Sequence, residues 1–184
     1  MNPTRDLKHE HEIVKHALRI MGKICDRVES GEPPNGEHLA QLLEFLTEFV
    51  DKCHHAKEEE LLFPAMERAA AAQAKPMIAQ MLAEHQTGRA HIRSMKEAFA
   101  HYQAGRADAL HEFIQPSRDY INLLNSHILK EDNMLYQVAD QVLSPQQQQE
   151  LEEGFEQVEV ERTGPGKHEE YHQMIHHLER VYAG

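Results

Sequence analysis

Two stretches of this chain repeat one arrangement of side chains that bind metals. Cys53 to Pro64 reads CHHAKEEELLFP, and His127 to Tyr136 reads HILKEDNMLY. At one constant offset His54 falls on His127, Lys57 on Lys130, Glu58 on Glu131, Glu59 on Asp132, Leu62 on Leu135 and Phe63 on Tyr136. Residues four apart share a helix face, so His54 with Glu58, and His127 with Glu131, each offer a nitrogen and a carboxylate to one centre. His55 falls on Ile128, which makes His54 and Glu58 the shared pair and His55 a neighbour. Upstream of each copy a Glu-His dipeptide recurs, Glu10-His11 and Glu84-His85. The chain reads His…His-x-x-x-Glu twice, an internal repeat that bears on the fold. Six candidate metal ligands follow: His11, His54, Glu58, His85, His127 and Glu131.

One or two buried histidines are ordinary core residues satisfied by hydrogen bonds. Two buried glutamates beside four histidines are not, because an ionised carboxylate in a core needs a compensating charge. Salt bridges to Lys57 and Lys130 are one way to supply it, but their spacing points both lysines off the stripe and into solvent. A metal is the better account. Imidazole with carboxylate suits iron, manganese or zinc, and the lack of thiolate ligands removes soft metals. Six ligands exceed one tetrahedral zinc and fall short of saturating two octahedral ions. If both glutamates bridge two ions and a solvent-derived oxygen adds a third bridge, a position stays open for O2, peroxide or nitric oxide. Carboxylate-bridged metal pairs of this kind occur in helix bundles.

The elements that must position these residues are helices. The 184 residues are 40% hydrophobic with no tryptophan, sparse in strand formers and rich in Ala, Leu, Glu, Gln and Lys, which predicts an all-α fold with one real core. Thr4 is placed to cap a first helix whose buried stripe runs Leu7, His11, Val14, Leu18, Met21 and Cys25. His9 falls off that stripe toward solvent, while His16 is open to either reading. SGEPPNG breaks this helix. A second runs from about Glu37 to Ala72, with Pro64 a kink just past the ligand pair, either strain beside a metal or a tolerated bend. A third opens near Pro76 and carries His85, then Gly88, where a missing side chain leaves room for a metal-bound ligand or for close helix approach. Arg89 follows, placed to pair with a carboxylate near the site. A fourth starts near Ala107 or after Pro116. Ser144-Pro145 caps a fifth, TGPG makes a turn, and a last helix carries His168, His172, His176 and His177. This tail either covers the metal, with Glu159 or His168 near it, or finishes the core, the second reading being the stronger.

The net charge of −12 argues against nucleic acid and against anionic membrane surfaces as partners. No apolar run reaches transmembrane length, the N-terminus lacks a signal core, and Cys25 and Cys53 make neither a zinc motif nor a disulfide framework. The expected compartment is the cytoplasm. The 15 histidines are the compositional oddity, and a metal site accounts for part of them.

The pattern LKHEHEIV…HHAKEEELLFP…EHQTGR…HILKEDNMLY, from about residue 5 to about 140, resembles the hemerythrin-like, or HHE cation-binding, family. The resemblance implies an up-down-up-down four-helix bundle over residues 1–143 holding a non-haem diiron centre with a bridging oxo or hydroxo group, followed by a helical extension over 144–184 packed on the bundle. Carried over by motif, His11, His54, Glu58, His85, His127 and Glu131 are the ligands. Oxygen-carrying members have a further histidine four residues after the third-helix histidine, where this chain has Arg89, and they use His-x-x-x-x-Asp on the last helix. Asp132 has that spacing and Glu131 the HHE spacing. The missing histidine weighs against reversible O2 transport. The function expected is binding or sensing of a small oxidant, namely O2, nitric oxide or peroxide. The alternatives are turnover (peroxide disproportionation or nitric oxide reduction) and iron storage, delivery or repair.

Overall fold

The computed structural model describes residues 2–183, and those residues form helices without a strand. The helices are α1 (Pro3–Glu29), α2 (Gly36–Phe45), α3 (Phe63–Gln103), α4 (Ala109–Lys130), α5 (Tyr136–Val142), α6 (Pro145–Val158) and α7 (Lys167–Val181). Wider, π-helical turns carry the chain from α2 to α3 over Leu46–His55 and Lys57–Leu62, from α4 to α5 over Glu131–Leu135, and onward from α6 over Glu159–Thr163. Among the described residues no helix is long and apolar enough to cross a membrane.

Asn2, not Thr4, caps α1: its side-chain oxygen accepts from the Thr4 backbone N–H at 2.9 Å. Thr4 lies inside the first turn, where its hydroxyl ties Asn2 to Asp140 of α5. The predicted stripe of α1 is buried throughout, His11 included.

α3 is two bundle helices joined at one residue. Ala70 alone departs from helical geometry, with φ −151° and ψ 57°. Glu59 and His85 hydrogen-bond at 2.7 Å although they are 26 residues apart, and a straight helix of that span would hold them roughly 39 Å apart. The chain therefore reverses at Ala70. The predicted restart at Pro76 is corrected: Pro76 lies inside α3. A proline inside a helix loses one N–H bond and crowds the carbonyl four residues back, and Pro76 is accommodated in the early turns of the returning helix rather than at the break. The fourth bundle helix takes the earlier of its two expected starts, with Pro116 inside α4.

The result is an up-down-up-down bundle formed by α1, by α2 with its π-helical continuation, by α3 after Ala70, and by α4 with α5. Its apolar interior is mainly two cores, beside a small cluster of Cys53, Ala56 and Val158. One core joins Ile13 to Val28, Leu39 to Val50 and Ile92 to Phe99 with Phe113 to Ile128. The other joins Leu7, Leu62 to Met66, Ala74 to Met81 and Leu135 to Leu143. Between them lies a layer of buried histidines and glutamates. The tail closes on both cores: Tyr171, Ile175 and Leu178 of α7 join the first, and Leu151 and Phe155 of α6 the second. α6 comes close to the second bundle helix because Gly154 lacks a side chain; a Cβ there would sit 3.0 Å from Leu61.

Candidate metal centre

His11 comes from α1, His54 and Glu58 from the π-helical stretches after α2, His85 from α3, His127 from α4, and Glu131 from the first π-helical turn after α4. All six are buried, at 2% exposure or less. The sequence repeat is a backbone repeat as well. The Phe63 N–H reaches back five residues to the Glu58 carbonyl, and the Tyr136 N–H does the same to Glu131. Wide turns of this kind recur at functional sites. Proline does not cause it: the second copy makes the same turn without one, so Pro64 continues the helix in the first turn of α3.

Each histidine has its Nδ1 tied to a carboxylate of a neighbouring bundle helix. Glu10 of the first helix holds His54 of the second at 2.7 Å, and Glu59 of the second holds His85 of the third at 2.7 Å. Glu84 of the third holds His127 of the fourth at 2.8 Å, and Asp132 of the fourth closes the ring on His11 of the first at 2.8 Å. Such a bond puts the ring proton on Nδ1 and turns the Nε2 lone pair inward. The four Nε2 atoms then meet in two pairs, His11 with His54 and His85 with His127, each at 3.0 Å.

The two carboxylates lie across both pairs. Glu131 Oε2 is 3.2 Å from His11 Nε2 and its Oε1 is 2.9 Å from His127 Nε2. Glu58 Oε2 is 3.4 Å from His85 Nε2 and 3.9 Å from His54 Nε2. Despite these approaches, Glu58 Oε2 and both Glu131 oxygens are buried with no aligned hydrogen-bond donor. The remaining oxygen, Glu58 Oε1, accepts from the Tyr136 hydroxyl at 2.5 Å. Facing lone pairs and orphaned carboxylate oxygens repel unless a cation stands between them, so the donor set fits a metal. The described atoms fall into two overlapping groups: His11, His54, Glu58 and Glu131, and His55, Glu58, His85 and His127.

Protons are the alternative cations. Burial pulls the His11 and His85 pKa values down, but the carboxylates around them outweigh it and lift His11 to about 9 and His85 to about 10. Burial pushes Glu131 up, yet His127 and His11 hold its carboxyl well below the usual range.

Lys57 and Lys130 do not point into solvent as their spacing predicted. Lys57 is 1% exposed, with Nζ 2.5 Å from Glu10 Oε1 and 2.5 Å from Glu159 Oε1. Lys130, partly buried, pairs with Glu84. The position before each glutamate faces the preceding bundle helix, where the Glu of the Glu-His dipeptide waits. The lysines therefore neutralise the carboxylates that hold His54 and His127, leaving Glu58 and Glu131 without a lysine. Arg89 does the same for Glu59, at 2.8 Å, while also holding Asp51 at 2.7 Å. Gly88 serves packing: a Cβ there would touch the Tyr120 ring at 3.4 Å.

His55 is the residue that alignment of the two copies set aside and the fold brings in. It is 4% exposed and stacks on His85, with ring centroids 3.8 Å apart. Burial and the neighbouring histidines push its pKa well below the ordinary value, so it stays neutral. The doubled histidine of the first copy was the only signal. In the tail, Glu159 meets Lys57 and His168 Nε2 lies 3.2 Å from Glu10 Oε1, so both reach the outer ring rather than the centre. The His172 ring lies tilted against His168, with centroids 4.8 Å apart.

The family model for the hemerythrin HHE cation binding domain matches residues 2–139. The chain is 25% identical over 167 residues to uncharacterized proteins of Mycobacterium bovis and Mycobacterium tuberculosis, over 86% of its own length. It spans 62% of the length of those relatives. No solved structure matches.

Proposed function

This chain belongs to the hemerythrin HHE cation-binding domain family, and from that premise we propose that it holds two iron ions and binds or senses a small oxidant, O2, nitric oxide or peroxide. One observation carries the reading: four inward Nε2 atoms in two 3.0 Å pairs, with three orphaned carboxylate oxygens between them. In this reading His11, His54, His85 and His127 would hold the ions together with Glu58 and Glu131. Manganese or zinc suits the same donors by type. Bound iron would supply a redox change and an open position for the oxidant.

The chain's own residues supply the rest. The carboxylate ring fixes the tautomer and aim of each imidazole, so the donors are arranged before a metal arrives. The two apolar cores above and below the layer limit water. The Tyr136 hydroxyl oxygen lies 2.5 Å from Glu58 Oε1, to which it donates, and 3.5 Å from His11 Nε2, where it would hydrogen-bond to whatever enters. The same hydroxyl favours a second reading, peroxide disproportionation or, with an external reductant, nitric oxide reduction, since the first passes protons between two peroxides and the second consumes them. Burial of every donor weighs against iron storage or delivery, which needs ready exchange. The cytoplasm, with no nucleic-acid or membrane partner, is the setting we take, in keeping with two buried, unpaired cysteines.

The test is iron content of the purified protein together with visible spectra under O2, peroxide and nitric oxide. Two irons per chain and a reversible spectral change support the binding or sensing reading. Sustained peroxide or nitric oxide consumption above that of free iron supports the enzyme. A metal content unchanged between the wild type and a Glu58→Ala/Glu131→Ala double variant refutes the centre.

A further inference from the structure

A second cluster of metal-binding side chains lies away from the centre, on the seam between α1 and α7. His16 of α1 faces His176 and Glu179 of α7, and one ligand atom from each falls within 4.8 Å of the others. His176 and Glu179 are three residues apart on one helix face, and His16 meets them from across the seam. His16 Nδ1 is 2.5 Å from Glu179 Oε1, and His176 Nδ1 is 3.9 Å from Glu179 Oε2. The His16 and His176 rings stand edge to face, with centroids 5.6 Å apart.

Hydrogen bonding does not account for this arrangement. His16 Nδ1 is buried, and in spite of its short approach to Glu179 the ring N–H direction misses the carboxylate, so the nitrogen has no bonded partner. A ring nitrogen and a carboxylate oxygen held this close with no hydrogen bond between them repel unless a cation is shared between them. Among the described residues Arg19 donates to this carboxylate, 3.3 Å from Glu179 Oε1, and its side chain is 60% exposed, so an incoming ion can displace it. Glu179 and His176 are 37% and 51% exposed, so the site is open to an incoming ion.

We propose that His16, His176 and Glu179 form a second cation site, for one zinc-class divalent ion, that staples α7 to α1. Two imidazoles and one carboxylate with solvent in a fourth position is a zinc donor set. Calcium and magnesium prefer all-oxygen shells, so they are poor occupants. The ion would bridge His16 and Glu179, which no hydrogen bond joins, and His176 would close on it from the same turn of α7. Beneath it, Tyr171, Ile175 and Leu178 already bury the helix in the core, so the staple adds to a packed interface.

The probe is Zn2+, titrated into the full chain with its buried centre already loaded with iron, and iron content assayed alongside. Wild type is expected to take up one zinc beyond the buried centre. His176→Ala and Glu179→Gln should each weaken that uptake by more than the roughly 10–100-fold that loss of an outer hydrogen-bond partner causes, with iron content unchanged. Zinc at a hundred times its Kd should raise the wild-type Tm by about 5–10 °C, and that rise should vanish in a His176→Ala/Glu179→Gln double variant. His111→Ala, which removes an exposed histidine on α4, should behave as wild type. Uptake of the extra zinc by the double variant with wild-type affinity overturns the site, and so does its absence from wild type.

Discussion

Lys57 and Lys130 occupy equivalent places in the two halves of the repeat, and removing them should have unequal consequences. Lys57 is 1% exposed and its side chain is roofed by the tail: Nζ meets Glu159 at 2.5 Å and lies 5.6 Å from the Phe155 ring centre. Its other partner, Glu10, is 3% exposed. Lys57→Met keeps the apolar stem but strands the Glu10 carboxylate in the core. Removing one partner of a buried pair costs about 3–5 kcal/mol, and the hydrogen bonds from His54 and His168 that remain to Glu10 favour the lower end. At roughly 2–4 °C per kcal/mol for a chain of this size, the Tm should fall by about 6–20 °C. Lys130 is 27% exposed and Glu84 16%, so Lys130→Met breaks a pair that water can replace, at a cost of about 0–1 kcal/mol. Thermal melts followed by far-ultraviolet circular dichroism on iron-loaded proteins compare the two. Lys57→Met/Glu10→Gln, which removes the stranded charge, should recover much of the lost stability. Equal losses for the two lysines, or no recovery in the double variant, would refute the account of the tail as the cover that makes one copy of the repeat a buried ion pair.

Three further outcomes are expected. Glu58→Ala and Glu131→Ala should lose stoichiometric metal, whereas Glu59→Gln, which only loosens the Nδ1 partner of His85, should keep the stoichiometry and weaken affinity roughly 10–100-fold; metal content after dialysis against a chelator separates these. Metal affinity should rise with pH, because binding must displace protons from His11 (about 9) and His85 (about 10). The metal-free chain should show the reverse: both folded values lie above the ordinary 6.5, so the stability they contribute is complete below that pH and is lost as pH climbs through 9 and 10. Competition titrations and metal-free melts over that window check both signs. Tyr136→Phe removes the donor to buried Glu58 Oε1 and should cost the metal-free protein about 1–3 kcal/mol, read by denaturant unfolding, with an altered spectrum of the oxidant-treated iron form.

The residues that converge at the centre were legible in the chain because ligand chemistry constrains type and helical spacing constrains place: a histidine four residues before a glutamate shares its face whatever surrounds it. The repeat added a comparison internal to the sequence, pairing His54 with His127 and Glu58 with Glu131. The helical class was legible for the same reason, since periodicity is local. The turn at Ala70 was not, because one alanine among several carries no local signal, and the reversal is settled by the packing of Phe63 and Met66 against Ile78 and Met81. Nor was the fate of the lysines. Spacing fixes which way a side chain leaves its own helix, but whether water or a carboxylate meets it there depends on the neighbouring helix, and for Lys57 on a tail about a hundred residues away. His55 is the same lesson in reverse, set aside by alignment and brought into the centre by the ring of His85 on which it stacks. Sequence alone determined which donors this protein carries and their order along each helix. Only tertiary structure decided which carboxylate holds which imidazole, because that ring closes across four helices, and no local rule reaches from one helix to the next.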